Sequence, residues 1–145
     1  KARWITLNEA MKVENLKRFF GDINKPITTN YVFAYEDPSA TSFLILGSLG
    51  GVDVKNYIVA FYPDEIVLAP LTLSGDFQGK YITVNKDQIQ DISVKKGLMQ
   101  YKVTLTVDGQ KFKLKCTKFT MTSPWQKENV NFLASKDWYI ASLNS

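Results

Sequence analysis

Lys80–Cys116 reads KYITVNKDQIQDISVKKGLMQYKVTLTVDGQKFKLKC, and the alternation inside it decides the fold. Asp108-Gly109 stands between two runs in which apolar and polar residues alternate. That pair accepts the positive φ angles of a type I′ turn, whose twist matches the strands it joins. Counting outward from it sets Leu105 opposite Phe112, Val103 opposite Leu114 and Tyr101 opposite Cys116, all on one face. The other face carries Lys102, Thr104, Thr106, Lys111, Lys113 and Lys115. A second turn at Lys96-Gly97 is expected to pair Val94 with Met99 and Ile92 with Tyr101, and to set Asp91 beside Lys102. The stretch therefore predicts three antiparallel strands with one dry and one cationic face. A one-residue slip would exchange the two faces.

Working back toward the N-terminus, Lys80–Asn85 reads as a strand and Lys86–Gln90 as a bend. Tyr57–Tyr62 and Glu65–Leu71 read as a hairpin about Pro63-Asp64, with Pro63 suited to the second position of a type I turn. Thr41–Leu46 and Tyr31–Tyr35 read as further strands. Gly47–Gly51 lacks the lysine and hydroxyl residue of a phosphate-binding loop, so an inter-strand loop is expected there. Thr6-Leu7-Asn8-Glu9 is a capping-box pattern that predicts an amphipathic helix over Leu7–Phe20, ending near Gly21. On the C-terminal side, Ser123-Pro124 predicts a helix start with Ser123 as N-cap. Trp125, Val130, Leu133 and Ala134 are the residues expected to face inward.

The chain has 145 residues, enough to bury a core, and 45% of them are hydrophobic. One domain over 1–145 is expected, with an N-terminal helix in 1–21, a β core in 31–117 and a C-terminal helix in 123–136. The fold class is mainly β (α+β): a small barrel or sandwich of about seven antiparallel strands, closed by the C-terminal helix. A net charge of +4 and a pI near 9.1 are mildly basic. All the basic residues except Arg3 and Arg18 are lysines, which counts against bidentate phosphate or guanine recognition. Cys116 is the single cysteine, so no internal disulfide forms, and its inward parity predicts a buried thiol.

No histidine occurs, which removes Ser-His-Asp and Cys-His catalysis and the commonest metal ligand. No catalytic, metal or cofactor-binding residue is assigned. The feature above background is the lysine face of Lys102, Lys111, Lys113 and Lys115, with Lys95, Lys96 and Lys118 nearby. Its plain reading is a solvated face that discourages edge-to-edge aggregation, with Asp91 relieving part of the repulsion. Its functional reading is a surface for an anionic partner. Nucleic acid is the least favoured partner, because no aromatic platform interleaves the lysines.

Tyr57–Leu68 (YIVAFYPDEIVL), then Ile82-Thr83-Val84, Ile89 and Ile92-Ser93-Val94, then Lys95-Lys96-Gly97 and a hairpin ending Lys111–Lys115, are similar in spacing to bacterial pleckstrin-homology-like (PH-like) domains. The similarity runs over 57–133. It implies a non-enzymatic binding or assembly module of a bacterial cytoplasm, free or membrane-associated, without a cofactor. Its partner would be a protein or a second copy of the chain, or an anionic membrane surface. The basic pattern of eukaryotic phosphoinositide readers ends in arginine, and no arginine follows Arg18, so no site residue is carried over. The alternatives are a barrel for a small apolar ligand and a carboxylate-dependent enzyme.

Overall fold

The structure is a computed structural model that describes residues 12–36, 56–72, 74–120 and 123–140. The Thr6–Glu9 capping box, the Thr41–Leu46 strand and the Gly47–Gly51 loop lie outside the described residues.

Among the described residues, seven strands follow one helix and precede another. They are α1 (Val13–Asp22), β1 (Tyr31–Glu36), β2 (Asn56–Phe61), β3 (Glu65–Pro70), β4 (Ile82–Asn85), β5 (Ile89–Lys96), β6 (Gln100–Val107), β7 (Gln110–Thr117) and α2 (Trp125–Ser135). All pairings are antiparallel, in the order β4-β3-β2-β1-β7-β6-β5. The two edge strands, β4 and β5, are consecutive in the chain and are joined by one 3-10 turn, Lys86–Gln88. A flat sheet of this order would hold its edges roughly 29 Å apart at the usual strand spacing. The connector spans at most about 14 Å. The sheet must therefore curl until the joined ends of its two edges lie close together, which gives the small barrel-like sandwich that the strand pattern predicts.

The curled sheet encloses one core. Val32 and Ala34 of β1, Tyr57, Val59 and Phe61 of β2, and Ile66 and Leu68 of β3 meet Val103, Leu105, Phe112, Leu114 and Cys116 inside it. A second cluster lies on the outer side of β1–β3. There Leu16 and Phe20 of α1 cover Tyr31, Ile58, Ala60 and Val67, joined by Trp125 from α2. β2 and β3 are thus buried on both faces, and for this reason Tyr57–Phe61 and Ile66–Ala69 read as unbroken apolar runs rather than alternating ones.

The β6–β7 hairpin has the predicted register, Tyr101 to Cys116, Val103 to Leu114 and Leu105 to Phe112. Asp108 and Gly109 both hold positive φ angles, 52° and 77°. The β5–β6 register differs from expectation. Ile92 lies opposite Leu105, Val94 opposite Val103, Lys95 opposite Lys102 and Asp91 opposite Thr106. The shift of four residues is even, so Ile92, Val94 and Tyr101 stay inward, but Met99 moves out to the exposed tip and Asp91 no longer neighbours Lys102. The longer register pairs β5 with β6 from Ile89–Val107 to Lys96–Tyr101, with a bulge at Gln90, leaving Gly97, Leu98 and Met99 as the tip. The Gly97 N–H donates to the Gln100 carbonyl at 2.7 Å, and a Cβ at Gly97 would sit 2.9 Å from that oxygen. Only glycine fits so close an approach.

Both helix ends differ from expectation in detail. Gly21 lies inside α1. The left-handed residue that ends the helix is Asn24, at φ 61°. Asn24 N–H donates to Gly21 C=O and Lys25 N–H to Phe20 C=O, the paired bonds of a Schellman closure, with asparagine where glycine is commoner. Ser123 is not a side-chain cap. Pro124 holds the N-cap position, and the Ser123 hydroxyl is buried without a hydrogen-bond partner.

α2 joins the two halves of the sheet. β1 pairs with β2 over Tyr31–Tyr35 but with β7 only at Tyr35 and Glu36, so the sheet splits beyond that point. Two amide side chains of α2 fill the split. Gln126, fully buried, accepts from Phe33 N–H at 2.9 Å and donates to Phe33 C=O and Thr117 C=O, each at 2.9 Å. Asn129, 2% exposed, donates to Tyr31 C=O at 3.0 Å. These groups stand in for the missing β7 ladder.

Burial displaces several titrations upward. Desolvation pushes the Cys116 thiol up to about 12 from 9.0, and the Tyr62 phenol up to about 12 from 10.0. Tyr57 is raised further, by desolvation first and then by Glu36, whose carboxylate accepts its hydroxyl. Each group is neutral when protonated, and its folded pKa lies above its unfolded value. The stability they contribute is therefore complete below about pH 9 and is lost as pH rises toward 12. Two results are expected: a melting temperature that falls steadily above pH 9, and a Cys116 that resists thiol reagents at neutral pH until denaturant is added.

Candidate anion-binding face

Period-2 alternation sends outward the odd-numbered residues of β5 from Asp91 onward, past a bulge after Ile89, with the even-numbered residues of β6 and the odd-numbered residues of β7. The register turns them into cross-strand rows. Lys95, Lys102 and Lys115 form one row, and Tyr35 of β1 continues it beyond Lys115. Ser93, Thr104 and Lys113 form the next, and Asp91, Thr106 and Lys111 the third.

An open groove of about 360 Å³ runs across these rows. Lys95, Lys96, Lys102, Lys111 and Lys113 line it, with the hydroxyl residues Ser93 and Thr104, the amide of Gln100 and the backbone of Gly97. None of the lining residues is acidic. Tyr35 on β1 donates its hydroxyl to Gln100 Oε1 at 2.8 Å, which fixes that amide at the groove's end.

Of the four lysines that the sequence singles out, the groove gathers Lys102, Lys111 and Lys113. Lys115 shares a row with Lys102 but lies outside the groove's lining. Lys95 and Lys96, read from sequence as turn neighbours, belong to it because β5 extends two residues further than the short turn allowed. Asp91 is two rows away from the Lys95–Lys102 pair, so it does not relieve that pair directly. Ser93 and Thr104 were legible only as outward parity positions. Lys118 lies outside this groove, with its ammonium 5.5 Å from the centre of the Tyr101 ring.

The face can attract and hydrogen-bond anions. Its ammonium groups are point charges with three donors each, and the two hydroxyls add short-range donors. Among the described residues no group of three or more Cys, Asp or Glu side chains is placed to hold a metal ion. Among them, too, no helix is long and apolar enough to cross a membrane. No protein-family model matches this chain, and a search of the curated proteins finds no match.

Proposed function

We propose that this chain is a non-enzymatic, PH-like binding module whose outer β5–β6–β7 face takes an anionic macromolecular partner. The observation that carries the proposal is the row of Lys95, Lys102 and Lys115 directly opposite one another, next to a groove with no acidic lining residue. Like charges across a ladder oppose folding, and an anionic partner offsets that cost when it binds. The PH-like assignment is supported by seven antiparallel strands in one curled sheet, with a helix after the last strand. The same reading puts the module in the cytoplasm, free or at a membrane surface, without a cofactor.

Two alternatives have less support. A barrel for a small apolar ligand needs interior room where Tyr57 packs edge-on to Phe112 and Phe61 to Trp138, at centroid separations of 5.6 and 5.2 Å. A carboxylate-dependent enzyme needs two acids facing one pocket, and no acid lines the groove described above.

The test is charge reversal. Lys102→Glu/Lys111→Glu/Lys113→Glu is expected to fold and to lose retention on immobilised poly-glutamate by about 100-fold, from three reversed charges at roughly 1 kcal/mol each. Retention of the wild type should fall steeply with added salt. Equal retention of variant and wild type would remove this face from the account.

A further inference from the structure

The groove on the lysine face ends at Gly97 and Gln100, and the two residues between them turn away to a second surface. Leu98 is 89% exposed and Met99 58%. The Lys118 N–H donates to the Met99 carbonyl at 3.0 Å, which brings Phe119, 53% exposed, beside the same tip. Leu98, Met99 and Phe119 are three of the five large apolar side chains exposed among the described residues. With Pro124, Lys118, Lys127 and Asn131 they line a groove of about 550 Å³ against α2. Glu128, next to Lys127 on α2, is not among the lining residues.

We infer that this tip inserts into the surface of an anionic lipid bilayer, with Leu98 and Met99 entering the headgroup layer while Lys95, Lys96, Lys118 and Lys127 meet the lipid charge. The inference rests on the anionic-partner reading and names the partner. A second copy of the chain is disfavoured, because it would bring the same lysines against these. A protein presenting carboxylates is best met by arginine forks, and no arginine follows Arg18. A fluid array of headgroups sets no fixed geometry, so flexible point charges serve it equally well. An apolar tip within a ring of lysines has the two signals that reversible surface anchoring needs.

The experiment is co-sedimentation with phosphatidylcholine vesicles, with and without phosphatidylserine, together with poly-glutamate retention on the same preparations. Binding is expected only to the phosphatidylserine vesicles, to weaken with salt, and to resist competition by free glycerophosphoserine. Leu98→Ser/Met99→Ser, which changes only exposed side chains, is expected to lower vesicle binding about 30-fold while leaving poly-glutamate retention unchanged. Leu98→Trp should blue-shift its emission on the same vesicles. Vesicle binding that is indifferent to Leu98→Ser/Met99→Ser overturns the insertion and leaves the lysine face standing. So does poly-glutamate retention without vesicle binding, which points to an acidic protein instead. Competition by the free headgroup at equal phosphate overturns it in favour of a headgroup site. Failure on both vesicles and poly-glutamate overturns the inference and the reading beneath it together.

Discussion

Gln126→Met is expected to destabilise the fold by about 3–5 kcal/mol, although methionine matches glutamine in length and shape. The loss is chemical. Gln126 is fully buried and serves the N–H and C=O of Phe33 and the C=O of Thr117. Methionine leaves all three part-buried backbone groups without these partners, at about 1–3 kcal/mol each. Water can recover part of this only if the β1–β7 split opens. Gln126→Glu separates donation from acceptance. Its carboxylate can still accept from Phe33 N–H but would face two carbonyls. Its pKa should therefore rise on folding, so the variant regains stability as pH falls from neutral toward the unfolded glutamate value of about 4.3, with the recovery complete below it. Urea denaturation of wild type, Gln126→Met and Gln126→Glu across acidic pH measures both effects. A Gln126→Met variant within about 1 kcal/mol of wild type would mean that these bonds do not hold the two half-sheets together.

Trp138→Ala is the second large loss, about 3–5 kcal/mol by the usual cost of deleting a buried tryptophan. Trp138 is 2% exposed and lies at the end of the inner core, against Phe61 at 5.2 Å and Tyr101 at 5.4 Å between ring centres. It is delivered there by a backbone that folding alone disfavours. Asp137, Trp138 and Tyr139 take φ angles of 51°, 53° and 60°, a left-handed run of three residues with side chains. Each such residue costs about 1–2 kcal/mol. The burial of Trp138 offsets that strain, so alanine should release the turn as well as empty the site. Thermal melting and near-ultraviolet dichroism of the variant check this. A melting temperature close to wild type would show that the plug is dispensable.

The parts of this fold that are legible in the sequence are those fixed by alternation and by turn chemistry. Asp108-Gly109 sets one register, and period 2 then assigns Leu105, Phe112 and Leu114 to the core and the lysines to the outside. The hairpin about Pro63-Asp64 is legible for the same reason. The β5–β6 tip is not, because Gly97 marks a close approach without stating how many residues follow it. That ambiguity hid the Lys95–Lys102 pair, and with it the part of the candidate face on β5. Gln126 and Asn129 were hidden more thoroughly. An amide on a helix reads as solvent-facing, and its burial makes sense only once β1 is seen to part from β7. Ser123 misled in the opposite sense. Ser-Pro is a good local start signal, but packing of the chain before α2 buries the hydroxyl and leaves Pro124 at the N-cap. Gly21 gave way to Asn24 because α1 continues two residues past Phe20, to Asp22, and its left-handed closure follows there.

The most direct measurement of the central claim is an amide chemical-shift titration of the labelled protein with poly-glutamate at low salt. Shifts are expected at Ser93, Lys95, Gly97, Lys102, Thr104, Lys111 and Lys113, graded along the cross-strand rows and reversed by salt. Shifts centred instead on α1 and the Phe19–Phe77–Tyr81 aromatic group, with the β5–β7 rows unmoved, would contradict it.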